Sequence, residues 1–263
     1  MGVVAVLGAG KIGEALLSGL LAAGRTPDEL LFTERHPERA AELTARLGVA
    51  GVEVAEAAAQ AEVLVVAVKP QDIAPVLRPG TLVVTLCAGL PIALFEGALP
   101  EGTPVVRVMP NTPMLVGEAM SAMSPGSHAT AEQLAVVEKM LAAVGRVVQL
   151  PEAQQDAVTA LSGSGPAYFF FLVEAMIDAG ILLGLPRAVA AELIVQSAYG
   201  AALMLRESAD HPVLLREAVT SPAGTTIAAI RELERHGVRA ALLDAIEAAR
   251  DRSVELGRAA QQR

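Results

Sequence analysis

The chain has 263 residues, 53% of them hydrophobic, which is enough for one or two domains with a sizeable core. Its formal net charge of −9 excludes nucleic acid as a partner, because phosphate binding needs a basic face. Cys87 is the single cysteine, which excludes a disulfide framework and a cysteine metal site, and the N-terminal residues lack the basic region and cleavage site of a signal peptide, so the expected compartment is cytoplasmic.

Residues 3–7 are a continuous apolar run and read as a buried parallel strand. Gly8, Ala9, Gly10, Lys11, Ile12 and Gly13 follow, then a helical pattern, so G-x-G-x-x-G stands between a strand and a helix. In that context Gly8 permits the tight turn, Gly10 lets a pyrophosphate approach the backbone and Gly13 lets the helix pack closely on the strand. The phosphates are expected at the helix N-terminus, where unpaired N–H groups and the dipole favour anions. Residues 30–33 form a second strand, followed by Glu34, Arg35 and His36. An acid about 20 residues after the last glycine suits the ribose 2′-OH of NAD. Thr33, Arg35 and His36 suit a 2′-phosphate, and the balance favours NADPH, with NADH as the alternative.

Residues 63–68 read as a strand ending at Lys69 and Pro70, residues 82–86 as one ending at Cys87, Ala88 and Gly89, and residues 105–108 as one ending at the Met109 to Pro113 stretch. Ligands in open α/β sheets bind beyond the carboxyl ends of strands, so these three ends are expected to line the nicotinamide side. Residues 130–144 read as a helix and 146–150 as a last strand. Pro151 then opens a wholly helical half. The expected fold is an α/β N-terminal Rossmann domain, a mostly parallel doubly wound sheet over residues 1–150, plus an all-α C-terminal dimerisation and substrate domain over residues 151–263.

The second half centres on residues 162–186. Ser164 can cap a helix there, Pro166 suits its first turn, and Gly184 and Pro186 mark its end. Nearly every side of it is apolar, so it must be buried all round, in a membrane or in a protein core. Glu174 and Asp178 stand mid-run, and each would cost about 3 kcal/mol at mid-bilayer, so no membrane is expected. Too few helices follow to wrap it, and a second copy is expected to complete its burial in an interlocked homodimer; a monomer with the helix between two domains is the alternative. Further helices are expected over residues 187–205 and 213–218, from residue 227 to 235, and over 238–256.

The chemistry is read by what is present and what is missing. His36, His128, His211 and His236 are not spaced as a metal pair, and no metal is expected. The 3-hydroxyacid dehydrogenases share this two-domain plan, but where they carry a lysine this chain has Phe169, and no lysine follows Lys139. Residues 220–227 instead offer small hydroxyl residues and Gly224 at a helix N-terminus, where backbone N–H groups can hold a compact carboxylate. Ser221, Thr225 and Thr226 add donors; plain N-capping by Thr225 or Thr226 is the alternative. Hydroxyls without a strong base suit reduction of a C=N bond, in which no alkoxide forms.

GAGKIGEAL from Gly8, AVKP from Ala67, RVMPNTP from Arg107, SGSGPAY from Ser162, EAMIDAG from Glu174 and SPAGTTI from Ser221 together resemble the pyrroline-5-carboxylate reductase family over nearly the whole chain. The resemblance implies reduction of 1-pyrroline-5-carboxylate to L-proline by NAD(P)H in a domain-swapped dimer, often assembled into a ring of dimers. It implies that Gly8 to Gly13 bind the pyrophosphate, Thr33 and Arg35 the 2′-phosphate, and that Val68, Lys69 and Ala88 lie on the path to the nicotinamide. Ser221, Gly224, Thr225 and Thr226 match its substrate-carboxylate loop, with Thr226 at the imine. Ala223 replaces the first glycine of the family's SPGGTT, and Ala218 stands where some members have a cofactor-contacting asparagine. A 3-hydroxyacid dehydrogenase-like enzyme and a non-catalytic NADP-binding regulator are the other function classes.

Overall fold

The computed structural model describes residues 2–67 and 76–261. The chain forms two compact units, residues 1–166 with 249–263, and residues 167–248.

Among the described residues the first unit carries eight strands: β1 (Val4–Leu7), β2 (Leu30–Thr33), β3 (Ala50–Gly51), β4 (Val63–Val66), β5 (Leu82–Thr85), β6 (Val105–Met109), β7 (Ala119–Pro125) and β8 (Gly145–Gln149). They form one sheet in the order β3-β2-β1-β4-β5-β6-β7-β8. Every neighbouring pair is parallel except β6 with β7. Helices α1 (Lys11–Ala22), α2 (Pro37–Leu47), α3 (Val54–Gln60), α4 (Ile92–Ala98) and α5 (Ala131–Ala142) connect them. Strand β1 shows why its run is apolar throughout. Val4 and Val6 pack with Leu16, Leu17 and Leu20 of α1 and Met140 of α5, while Ala5 and Leu7 pack with Ala57 of α3 and Phe95 of α4. A parallel sheet covered on both faces has no polar side to spare. Strand order reverses between β1 and β4, and that reversal opens a crevice at their carboxyl ends.

Two expectations need correction. Strand β7 is missing from the sequence reading: Ala119–Pro125 is built of Ala, Met and Ser, weak strand formers, and its pairing with β6 is antiparallel. Ser164 does not cap an isolated helix start. It has helical φ −83 and ψ −18, and a π-helical turn, Thr159–Gly163, joins α6 (Gln155–Val158) to α7 (Gly165–Leu182). The compact units part after residue 166, and the chain rejoins the first of them at residue 249. Residues 151–166 stay with the sheet because Glu152 Oε1 accepts from Arg107 Nη1 at 3.0 Å and from the Ile92 N–H at 2.7 Å. Fully buried Gln155 adds donor bonds to Ala122 O at 3.2 Å and Ser124 Oγ at 2.9 Å. The end of the last helix returns to the same unit: Ser253 Oγ donates to Asp156 Oδ1 at 2.6 Å, and a Cβ on Gly257 would stand 2.6 Å from Gly89 O.

The second unit is wholly helical: the body of α7, then α8 (Arg187–Glu207), α9 (Pro212–Ala218), α10 (Thr225–Arg235) and the first part of α11 (Val238–Gln261). Gly184, at φ +89, ends the α7 segment as expected. A Cβ on Gly180 would lie 2.8 Å from that of Ala190, so α7 and α8 approach closely there, and Arg187 donates to Asp178 at 3.3 Å beside the crossing. Phe169, Phe170 and Phe171 are 68%, 69% and 71% exposed in the single chain. Among the described residues two helical stretches, Glu152–Leu182 and Arg187–Glu207, are long and apolar enough to cross a membrane.

Candidate active site

Strand β1 runs into Gly8, whose φ of +94 is the left-handed turn the sequence reading requires. Thr33, at the end of the neighbouring β2, ties the turn down. Its carbonyl accepts from the Gly8 and Ala9 N–H groups at 3.2 and 3.0 Å, and its Oγ1 accepts from Gly8 at 3.2 Å. Gly10 is the N-cap of α1 and makes no side-chain cap bond. A Cβ on Gly10 would meet nothing within 4 Å, so the space beside its backbone is open to a ligand. At Gly13 a Cβ would stand 2.6 Å from Gly8 O and 3.0 Å from Val6 Cγ1, which is close helix-on-strand packing. The first N–H groups of α1 have no partner within the helix, and they carry the positive end of its dipole.

Two cavities meet at this loop. One, of about 390 Å³, lies beyond the carboxyl ends of β1, β4 and β6. Gly8, Gly10, Lys11, Ile12 and Gly13 line it together with Leu86, Met109, Pro110, Asn111, Thr112 and Gly163. Asn111 is held there, its Oδ1 accepting from the Met120 N–H at 2.9 Å and its Nδ2 donating to Ser162 O at 3.3 Å. The other cavity, of about 710 Å³, is lined by Gly8, Thr33, Glu34, Arg35, Val52, Glu53, Val54 and Ala67. Gly8 and Ala67 belong to both, so the two continue around the glycine turn. An open Gly10, unpaired helix N–H groups and a cation at one end fit the pyrophosphate and adenosine ends of a dinucleotide.

The structure thus brings Gly8, Gly10, Lys11, Ile12, Gly13, Thr33 and Arg35 to one cleft. Two expected residues do not line it. Ala9 is buried in the core and its N–H is already bonded to Thr33 O; Ala88 lies exposed in the turn after β5, two residues beyond the lining Leu86. Val68 and Lys69 lie outside the described residues. The sequence reading passed over Glu53 and Gly163 as lining residues. Gly163 stood in the SGSG run, whereas Glu53 had no local signal. Burial pushes the Cys87 thiol up from its ordinary value, against the opposing pull of Thr85 and the Arg107 charge, so a protonated thiol stands after β5. Among the described residues no group of three or more His, Cys, Asp or Glu side chains could hold a metal ion.

In the helical unit, the Gly224 N–H donates to Ser221 O at 3.1 Å, a tight turn that feeds α10. Gly224 itself is the N-cap and makes no side-chain cap bond. Neither Thr225 nor Thr226 occupies the cap position, so the plain-capping alternative for them is set aside. Thr226 is half-buried and Ser221 and Thr225 are exposed. Ala223 has φ +56, the one non-glycine residue with positive φ among those described. Alanine is strained there by about 1 kcal/mol or more. Ala223→Gly is therefore expected to raise the thermal midpoint by roughly 2 °C, readable by calorimetry. An unchanged or lowered midpoint would remove the strain assigned to this turn.

Residues 152–256 match the family description "Pyrroline-5-carboxylate reductase dimerisation", and residues 3–88 match "NADP oxidoreductase coenzyme F420-dependent". The chain is 49% identical to a pyrroline-5-carboxylate reductase of Corynebacterium melassecola, over 98% of this chain and 100% of that one. Its fold is similar to that of the pyrroline-5-carboxylate reductase of Coxiella burnetii, with a TM-score of 0.90 at 33% identity over 97% and 98% of the two chains. It is also similar to the Plasmodium falciparum pyrroline carboxylate reductase solved with NADP bound, with a TM-score of 0.88 at 28% identity over 97% and 98%.

Proposed function

The chain belongs to the pyrroline-5-carboxylate reductase family, and we infer that it reduces 1-pyrroline-5-carboxylate to L-proline with NAD(P)H, the final step of proline biosynthesis. When bound, the reduced nicotinamide supplies a hydride to the imine carbon. The protein must hold the dinucleotide, orient a small carboxylate and see one proton delivered to the ring nitrogen.

The first unit holds the dinucleotide. The N–H groups at the start of α1, beside Gly10, Lys11, Ile12 and Gly13, take the pyrophosphate. Thr33 keeps the glycine turn in place, and Arg35 faces the adenosine 2′-position. Val68, Lys69 and Ala88 are assigned to the nicotinamide path. The helical unit holds the substrate. The observation that carries this assignment is the bare N-cap at Gly224: Gly224 makes the turn, and the N–H groups of Thr225 and Thr226 lead an eleven-residue helix with no side chain spent on capping. A carboxylate there is held by charge-assisted bonds, and the Ser221 hydroxyl adds a donor. The Thr226 hydroxyl bonds the imine nitrogen or relays its proton.

The exposed apolar faces of α7 and α8 belong to the stretch that matches the dimerisation family, and a second copy covers them in a homodimer. This accounts for two long apolar helices without a bilayer, with Glu174 and Asp178 inside the first. Residues 1–150 act as the dinucleotide domain and 151–263 as the dimerisation and substrate domain of a cytoplasmic enzyme, and dimers assemble further into a ring.

Steady-state assays with NADPH and NADH side by side test the activity; no turnover with either refutes it. Thr226→Ala tests the assignment of the loop. The expected result is a fall in kcat of about 100-fold with the KM for NADPH unchanged. Undiminished kcat would strip Thr226 of its role.

A further inference from the structure

Resting on that reading of the cleft, we propose that Glu53 is a specificity-determining residue that holds down the preference for NADPH and admits NADH to the same site. The larger cavity carries the 2′-position of the adenosine. Its charged lining is Arg35 and Glu34 at the end of β2 and Glu53 at the start of α3. One guanidinium thus shares the cavity with two carboxylates. A phosphate monoester at the 2′-position carries close to two negative charges at neutral pH. Arg35 attracts it, while Glu34 and Glu53 repel it. A ribose 2′-OH is neutral, and a carboxylate accepts its hydrogen bond.

The two acids are placed differently. Glu34 is half-buried at the strand end, and its Oε1 accepts from the His36 N–H at 3.1 Å, which fixes it beside the cation. Glu53 is exposed and comes from a different element, after β3. Once Glu53 is neutral, Arg35 and Glu34 balance and the repulsion drops by one full charge. The interaction runs through a solvent-lined cavity, within reach at low salt and screened when the Debye length shortens to a few ångströms.

The test measures dissociation constants of NADPH and NADH by the fluorescence of the reduced nicotinamide, without substrate. Wild type, Glu53→Gln, Glu53→Lys and, as control, Glu56→Gln are compared. Glu56 is on the same helix, bonds Gln60 and does not line the cavity. The expected result for Glu53→Gln is about a threefold to tenfold tighter Kd for NADPH at low salt, with the Kd for NADH unchanged or weaker. Glu53→Lys should shift the ratio further, Glu56→Gln should leave it alone, and about 0.5 M salt should shrink each shift. If both nucleotides bind and Glu53→Gln leaves their Kd ratio at the wild-type value, the inference is overturned while the cleft stands. If wild type binds neither nucleotide, the reading of the cleft fails and this inference falls with it.

Discussion

Replacing Gly13 with alanine is expected to raise the dissociation constant for NADPH about 10- to 100-fold, a loss of roughly 1.4 to 2.7 kcal/mol of binding. The added Cβ would sit 2.6 Å from the carbonyl oxygen of Gly8. That neighbour is backbone and cannot rotate away. Either the start of α1 lifts off β1 or the turn at Gly8 is pushed aside, and both displace the N–H groups proposed to take the pyrophosphate. Overpacking of this kind also costs about 1 to 3 kcal/mol of stability. Gly10→Ala separates the two effects. Gly10 has φ −64 and ψ −170, which alanine adopts freely, and its Cβ would meet nothing in the protein. The Gly10 variant should therefore unfold at the wild-type temperature yet bind the dinucleotide poorly. Calorimetry with nucleotide fluorescence reads both quantities. Wild-type Kd and midpoint in the Gly13 variant would mean that the helix does not depend on that close approach.

Replacing Phe170 with aspartate is expected to weaken the homodimer at least about a thousandfold, roughly 4 kcal/mol. Phe170 is 69% exposed in the single chain, on a helix whose only charged residues are Glu174 and Asp178. Burial of one such ring against a partner contributes about 1.5 to 3 kcal/mol, and a buried unpaired carboxylate costs more than the ring returns. Twofold symmetry counts each change twice. Sedimentation at micromolar concentration should find the variant as monomer, and Phe170→Leu, which keeps the apolar volume, as dimer. An aspartate variant that sediments as a dimer with unaltered stability would place this face outside the interface.

Residues whose role is local were legible. The roles of Gly8 and Gly13 follow from the spacing of the motif, and the geometry at each repeats the expectation: a left-handed turn and a helix pressed against a strand. The positive φ at Ala223 was legible in the same way, from a family position that takes glycine. Residues placed by distant parts of the chain were not. Strand β7 has no β-branched residues to announce it; Gly117 and Pro125-Gly126 mark turns at its ends but not a strand between them, and only its partner strands β6 and β8 explain it. Nothing local in the sequence marks Ser253 or Gly257, yet one is bonded to Asp156 and the other lies against Gly89. Glu53 enters the cofactor cavity only because β3 lies beside β2 in the sheet.

A crystal grown with NADP and L-proline tests the division of labour between the two units most directly. The expected result is a proline carboxylate against the turn at Gly224, about 2.7 to 3.1 Å from the N–H groups of Thr225 and Thr226, with its ring nitrogen at the Thr226 hydroxyl. Proline bound away from residues 221–227 would contradict it.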